Sequence, residues 1–349
     1  MANFLDAADE LRKSGKLGDF QSDFDLVFRA ISELQAVHPK APIDLDNIES
    51  VFSAFEMGLL INRLPGISAE DISRLPLSIK RVILETLEER VKFTHTQRQV
   101  SPDPSYSDFA KLVGHMNRSS GNRCSIISFN YDLALDYSLH FHQSPADYCL
   151  TEVQQQRMGT WTPLLKLHGS LNWAMCAKCG QIVPWDFATF FSQFRFNFLE
   201  ENGKMSLPLG RNLGKSKLKH CELDVEPNPV IVPPTWNKTQ YHKILSRIWA
   251  RAASELSTAE NIFVVGYSLP ETDLFFRYLF ALGSIGQTRI KRFWVYDPDQ
   301  SVVQHRFETL IGTDTKNKFR FEPVPFHQAV PLIRRALQIQ PEGPMVSTV

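Results

Sequence analysis

Two short stretches decide the fold expected for this chain: Ser125-Ile-Ile-Ser-Phe-Asn130-Tyr-Asp132 and Leu164-Leu-Lys-Leu-His168-Gly169-Ser170. Each begins with an apolar run and ends in polar residues or glycine. Apolar runs of this length, bounded by turn residues, favour buried strands over helices. The sequence therefore predicts two strands whose carboxyl ends carry Asn130 and His168.

The rest of the chain extends this pattern in both directions. Four more apolar runs predict strands: Val230–Val232, Ile262–Val265, Phe293–Tyr296 and Phe319–Val324. Helical stretches such as Gln240–Leu256 and Leu274–Leu282 lie between them, and this alternation predicts a parallel sheet with crossover connections. Upstream, helical spacing of apolar residues is found within 26–34, 46–60 and 78–92, and Asp46 or Asn47 can cap the second of these helices.

The expected fold class is α/β: a Rossmann-like parallel sheet with helices on both faces, a helical N-terminal region and a small zinc-ribbon-like insert. We place the helical region at 1–104 and the Rossmann-like core at 105–340. The insert, at about 171–228, lacks the strand-helix alternation and is rich in phenylalanine, lysine, glycine and asparagine. Residues 341–349 are expected to form a loose tail.

Composition narrows the function classes. Lysine plus arginine number 38 and aspartate plus glutamate number 38, so the formal net charge is zero. Nucleic-acid binding usually requires a basic excess, and the one short basic cluster, within 215–220, is typical of a solvated loop. Nucleic acid is thus disfavoured as a direct ligand. No run approaches the roughly 20 apolar residues of a membrane span, and no signal-peptide pattern opens the chain. We expect a cytoplasmic protein.

Five cysteines, an odd number spread along the chain, do not form a disulfide framework, but two of them are spaced as in a metal site. Cys176 and Cys179 stand two residues apart before a glycine, which is half of a zinc ribbon, and zinc requires four ligands. Cys221 is the one plausible third ligand and His220 the candidate fourth, although adjacent ligands are geometrically awkward. A ribbon that has lost its metal is the alternative.

Polar or glycine residues also follow two later strands. Gly266 and Ser268 come after the run 262–265, and Asp297 follows 293–296. Open parallel sheets bind ligands beyond the carboxyl ends of their strands, so four strands deliver ligand-binding residues to one edge. Taken singly, these residues have structural explanations as helix caps, turns or a hydrogen-bonded core histidine. Taken together, they favour a binding site.

At these residues the chain resembles the sirtuin family, the silent-information-regulator-2-like proteins, and within it the bacterial anti-phage-defence branch. The resemblance covers roughly residues 105–330. It is carried by these segments: Phe129-Asn130-Tyr131-Asp132, Lys166-Leu167-His168-Gly169-Ser170-Leu171-Asn172-Trp173, Val230-Ile231-Val232-Pro233-Pro234-Thr235-Trp236, Val265-Gly266-Tyr267-Ser268-Leu269-Pro270 with Asp273, and Val295-Tyr296-Asp297.

The resemblance implies cleavage of NAD by hydrolysis to ADP-ribose and nicotinamide. It implies that Asn130 holds the ribose or the attacking water and that His168 is the general base. Histidine suits that task because its unperturbed pKa lies near neutrality. The implied cofactor-binding residues are Asp132, Gly169, Gly266, Ser268 and Asp297.

One element of the family is absent from the sequence, the glycine-rich Gly-Ala-Gly-x-Ser turn that holds the NAD pyrophosphate at a helix N-terminus. The residues from Met1 to Asp9 resemble the stretch that follows this turn, so either the recorded start is late or the turn has been lost. An NAD-dependent protein deacylase and a degenerate NAD- or ADP-ribose-binding module are the alternative functions. The resemblance also implies a homo-oligomer and a partner such as a HerA-type ATPase.

Overall fold

The computed structural model describes residues 4–37, 40–41, 43–96, 99–118, 123–151, 161–194, 200–201, 203–232, 242–270 and 273–339. The segment 233–236, part of the family resemblance, and the expected tail at 341–349 lie outside these residues. Within the described ranges, no helix is both long enough and apolar enough to cross a membrane.

The described ranges contain twelve α-helices. They are α1 (Phe4–Lys13), α2 (Gln21–Ala36), α3 (Ile48–Leu60), α4 (Ala69–Arg90), α5 (Pro104–Arg118), α6 (Ala134–Phe141), α7 (Phe187–Phe194), α8 (His242–Thr258), α9 (Leu274–Gly283), α10 (Gln300–Leu310), α11 (Thr313–Lys316) and α12 (Phe326–Ala336). The helices expected within 26–34, 46–60, 240–256 and 274–282 are all confirmed, and Asn47 caps α3 by accepting a hydrogen bond from the Glu49 amide.

The strands are short. They are β1 (Phe93–Thr96), β2 (Gln99–Ser101), β3 (Ile126–Ser128), β4 (Ala146–Asp147), β5 (Thr162–Lys166), β6 (Gly169–Ser170), β7 (Trp173–Met175), β8 (Ile182–Pro184), β9 (Glu200–Glu201), β10 (Lys204–Met205), β11 (Lys219–His220), β12 (Leu223–Asp224), β13 (Val230–Ile231), β14 (Asn261–Val265), β15 (Arg292–Tyr296) and β16 (Phe319–Glu322). Each of the six apolar runs expected to form a strand contains one.

The chain divides into two compact units. The first comprises residues 1–101, 127–137 and 166–248, and the second comprises 102–126, 138–165 and 249–349. The expected insert therefore lies in the same unit as the N-terminal helices, whereas the three C-terminal parallel strands lie in the other.

Helices α2, α3 and α4 form the core of the first unit. Their apolar residues recur every three or four positions, so one face of each helix is buried; Phe24, Phe55 and Ile79 have no exposed surface. Helix α4 begins nine residues before the expected start at Ser78, because its chain continues as a helix through Pro76. Proline usually marks a helix end because it lacks an N–H, so the about two and a half turns before Ser78 were not expected.

Four strands of the first unit form an antiparallel sheet in the order β2-β1-β10-β9. Strands β1 and β2 add strand structure to the region 1–104, which we expected to be helical. Phe93 of β1 pairs with Met205 of β10. Because this pairing joins residues far apart in the chain, no local periodicity could reveal it.

The first unit also contains strands that pair only in twos. Strand β7 pairs with β8 and β11 pairs with β12, in both cases antiparallel, which builds the ribbon of the insert. Strand β13 pairs antiparallel with β6. The run Val230–Val232, expected to join the parallel sheet, thus contributes to an antiparallel pair instead, since its partner is the short strand that follows His168.

The second unit contains the parallel sheet β14-β15-β16, as the alternation of strands and helices predicted. Helices cover both of its faces. Phe293 packs against Phe280 of α9 and Phe307 of α10, whereas Tyr296 packs with Ala329 of α12 and with α5 on the opposite face. Strand β4 also pairs in parallel with β5, in a sheet of order β3-β5-β4. These features confirm the expected fold class.

Candidate functional site

Asn130 and His168 follow neighbouring strands, β3 and β5. The Leu167 amide donates to the Ser128 carbonyl oxygen at 2.9 Å, which joins the two strand ends. His168 is 5% exposed, and its ring meets the Phe129 ring edge-on with centroids 5.5 Å apart, whereas Asn130 is exposed. The structure thus places a buried imidazole beside the loop that carries the exposed amide.

Gly169 fixes the turn after His168. Its φ is +91°, a conformation that side chains with a Cβ rarely adopt, and an added Cβ would overlap the Val230 carbonyl oxygen. The His168 carbonyl oxygen accepts a hydrogen bond of 2.8 Å from the Val232 amide. Glycine is therefore needed for β13 to approach this turn, which gives the residue a structural role beside the predicted cofactor-binding one.

Asp132 closes the loop that begins at Asn130. Its Oδ1 accepts a 2.9 Å hydrogen bond from the Ala134 amide, at the first residue of α6. This is the helix-cap role that the sequence left open. Desolvation raises the pKa of Asp132, and the positive charge of Lys166 opposes that rise.

Lys166 is a site residue for which the sequence analysis assigned no role. It is the last residue of β5, is 1% exposed, and its Nζ lies 2.6 Å from the Asp132 carbonyl oxygen and 3.1 Å from Oδ2 of Asp136. A lysine inside an otherwise apolar strand was the available signal, because buried lysines almost always have a partner. The partner itself could not be identified from the sequence.

Gly266 and Asp297, both in the second unit, follow adjacent parallel strands. Val265 is in register with Tyr296, and the Gly266 amide donates to the Tyr296 carbonyl oxygen at 2.9 Å. The structure thereby brings these two predicted cofactor-binding residues to the same edge of the β14-β15-β16 sheet.

The side-chain environments at this edge differ. Asp297 is 8% exposed, its Oδ1 accepts from the Asp299 amide at 2.9 Å, and desolvation raises its pKa. Ser268 is exposed, and its carbonyl oxygen accepts from Arg306 at 3.2 Å. The Tyr267 hydroxyl donates to Asp273, which caps α9. This segment is held by its own hydrogen bonds, with Ser268 left accessible.

The four predicted metal ligands converge in the first unit. One ligand atom from each of Cys176, Cys179, His220 and Cys221 lies within 4.8 Å of the others. His220 Nδ1 lies 3.3 Å from both the Cys179 and the Cys221 sulfur. Tetrahedral zinc, with Zn–S about 2.3 Å and Zn–N about 2.0 Å, separates sulfur from nitrogen by roughly 3.5 Å. The cluster therefore fits a zinc ion.

Two local structures bring these ligands together. The Cys179 backbone N–H donates to the Cys176 sulfur and is the main reason that the pKa of Cys176 falls to about 6, which favours the thiolate that metals bind. Cys221 and Glu222, with φ of +52° and +65°, form the two-residue turn between β11 and β12. Such a turn needs positive φ at both central positions and normally uses glycine or asparagine. This conformation accounts for the adjacent ligands that looked awkward in sequence.

Comparisons with known proteins find similarity to solved Sir2 structures. No protein-family model and no curated protein matches the chain. A structure from a study of the mechanism and regulation of Sir2 enzymes is 15% identical, with 77% of this chain and 81% of that chain covered and a TM-score of 0.37. A Sir2 homologue mutant in complex with ADP-ribose is 14% identical, with 78% and 80% covered and a TM-score of 0.39.

A third structure, Sir2Af2 bound to a myristoylated histone peptide, is 15% identical, with 78% and 85% of the two chains covered and a TM-score of 0.36. The chain is thus similar to solved Sir2 structures over about three quarters of its length.

Proposed function

We propose that this protein cleaves the bond between nicotinamide and ribose in NAD, with water as the nucleophile. The observation that carries the proposal is the placement of His168, a buried imidazole at the end of β5, beside the loop of Asn130. Hydrogen bonds of the Leu167 amide and of the His168 carbonyl oxygen fix the backbone that carries the imidazole. A fixed general base next to an exposed amide suits activation of a water molecule.

The proposed hydrolysis consumes one water molecule and releases one proton. His168 takes a proton from the attacking water as the oxygen bonds to C1′ of the ribose and the C1′–N bond breaks. Nicotinamide leaves as a neutral molecule, ADP-ribose forms, and His168 releases the proton to solvent. Asn130 orients the water or a ribose hydroxyl through its side-chain amide. The ribose carries oxocarbenium character in the transition state, as in glycoside cleavage.

The test is NAD turnover by the purified protein, followed as free nicotinamide and ADP-ribose. We expect His168→Ala to lose at least about 100-fold in kcat, the usual contribution of a positioned general base. His305→Ala, at an exposed position on α10, serves as the matched control and should retain activity. Full activity of His168→Ala would overturn the assignment of the base.

The same assay separates the alternative functions. Nicotinamide release only in the presence of an acylated lysine peptide would indicate a deacylase. NAD or ADP-ribose binding without turnover would indicate a non-catalytic module. The role in anti-phage defence, a HerA-type ATPase partner and a homo-oligomer stay predictions from the family resemblance.

We also propose that Cys176, Cys179, His220 and Cys221 hold one zinc ion. Four protein ligands complete the coordination of tetrahedral zinc and leave no open position for substrate, so the role is structural. The non-glycine turn at Cys221 and Glu222 supports the proposal, because backbone strain persists where the surrounding structure enforces it.

A further inference from the structure

The ammonium group of Lys166 lies where the loop after β3 meets helix α6. Its Nζ is 2.6 Å from the Asp132 carbonyl oxygen, 3.3 Å from the Tyr131 carbonyl oxygen, and 3.1 and 3.3 Å from the two carboxylate oxygens of Asp136. Both charged side chains are almost fully buried, at 1% and 2% exposure. An ammonium group has three N–H donors, and these three partners match them in number.

Two of the three partners are backbone carbonyls of the loop that begins at Asn130. Tyr131 is tied further, since its carbonyl oxygen also accepts from the Leu171 amide at 3.1 Å and its hydroxyl donates to the Val232 carbonyl oxygen at 3.1 Å. The Asp132 carbonyl oxygen accepts the shorter of the two bonds from the lysine, at 2.6 Å. The lysine is therefore the group that draws the second half of the loop inward.

The position of Lys166 in the chain links this contact to His168. Only Leu167 separates the two residues, and the Leu167 amide is bonded to Ser128 just before the loop. The segment 166–168 thus carries the buried imidazole. It also forms hydrogen bonds both to the end of β3 and to the loop that follows β3.

We propose that Lys166 is a positioning residue that sets the geometry of Asn130 relative to His168, with Asp136 as its counter-ion. This inference rests on the proposed NAD cleavage, for which Asn130 and His168 must face the same ribose. Lys166 touches no reacting atom; it acts through the carbonyl oxygens of Tyr131 and Asp132. Misplacement of a reacting group by about 1 Å can reduce a rate on the order of 100-fold.

A single substitution cannot separate positioning from stability. Lys166→Met would leave Asp136 as a buried carboxylate without its counter-ion, which destabilises a fold by itself. The double variant Lys166→Met/Asp136→Asn removes both charges and should recover most of the melting temperature. The double variant still lacks the ammonium group that donates to the Tyr131 and Asp132 carbonyl oxygens. A lower kcat in this variant therefore measures the contribution of Lys166 to positioning the loop.

The experiment compares the wild-type protein, both variants and Arg81→Met as the control. Arg81 of α4 pairs at 2.9 Å with Asp23 of α2, which is 3% exposed, so Arg81→Met breaks a different ion pair of the first unit. We expect the double variant to lose on the order of 100-fold in kcat with KM for NAD changed less than about threefold. Arg81→Met should lower the melting temperature and keep kcat.

Amide hydrogen exchange of residues 129–134 supplies a readout that does not depend on activity. The double variant should exchange faster than the wild type in this segment, while Arg81→Met should not. A double variant with wild-type kcat and wild-type exchange would overturn the proposal. If the wild type does not cleave NAD, the proposed function fails, and the exchange result alone then supports or refutes the positioning role.

Discussion

The carbonyl oxygen of Val230 occupies the space into which a Cβ on Gly169 would project, and the Val230 carbonyl carbon would lie 2.9 Å from that Cβ. Strand β13 can pair with β6 only because residue 169 is a glycine with φ of +91°. The residue after the proposed base is thus fixed by the close approach of another backbone. Packing against β13 therefore requires glycine at position 169, independently of the proposed role of His168 in catalysis.

Gly169→Ala should lower the free energy of unfolding by about 2 to 4 kcal/mol, because backbone strain and steric overlap add. Urea unfolding measures the loss. Gly15→Ala is the matched control, since Gly15 also has a positive φ, +70°, but has nothing within 4 Å of an added Cβ. The decrease in unfolding free energy should be smaller for Gly15→Ala than for Gly169→Ala by at least about 1 kcal/mol. Equal losses would refute the steric explanation.

The zinc proposal predicts about one zinc per chain in protein purified without chelator. Cys221→Ser should abolish most of the bound metal, because serine oxygen is a poor zinc ligand. Elemental analysis of both proteins checks this, with Cys124→Ala as the control thiol outside the cluster. Retention also depends on pH: the ligand thiols must lose their protons, so zinc affinity should fall as pH falls. Zinc-free wild-type protein would contradict the proposal.

Glu88 on α4 predicts a pH dependence of stability. Burial raises the pKa of its carboxyl to about 8 from the ordinary value of 4.5, although the amides of Gly210 and Arg211 donate to it. The folded protein therefore holds a proton that the unfolded chain has already released. Stability from this group is fully present below about pH 4.5 and is lost as pH rises towards 8.

Glu88→Gln keeps an oxygen acceptor for the Gly210 amide but cannot ionise. We expect its unfolding free energy to fall less than that of the wild type between about pH 5 and pH 8. Urea denaturation at several pH values measures the two slopes. Glu10→Gln, at an exposed position on α1, is the control and should keep the wild-type slope. If the unfolding free energies of Glu88→Gln and the wild type fall equally with pH, Glu88 is not the cause of the pH dependence.

Asp297 gives a prediction for the second unit. If its carboxylate accepts a hydrogen bond from the adenosine ribose, Asp297→Asn should raise KM for NAD about tenfold, with kcat little changed, since a charged acceptor contributes more than a neutral one. Steady-state kinetics test this, with the exposed Asp314→Asn of α11 as control. An unchanged KM would remove Asp297 from the cofactor-binding set.

Local patterns were sufficient for much of the fold. Short apolar runs predicted β3, β5 and the sheet β14-β15-β16, because burial of a strand requires such side chains whatever its partner. The same patterns placed Asn130, His168, Gly266 and Asp297 at strand ends. The local patterns failed where pairing with a distant segment determines the strand or its sheet, as for β1 with β10 and for β13 with β6.

The sequence by itself determined six of the strands, several helices, the polar residues at those strand ends and the four metal-ligand candidates, since the pattern that marks each of them is local in the chain. Only the tertiary structure decided that Lys166 pairs with Asp136 thirty positions away, and that the turn at Cys221 brings His220 and its neighbour towards one point. The physical reason is that a buried charge or a strained turn is stable only when distant segments supply its partners, and those partners are set by packing.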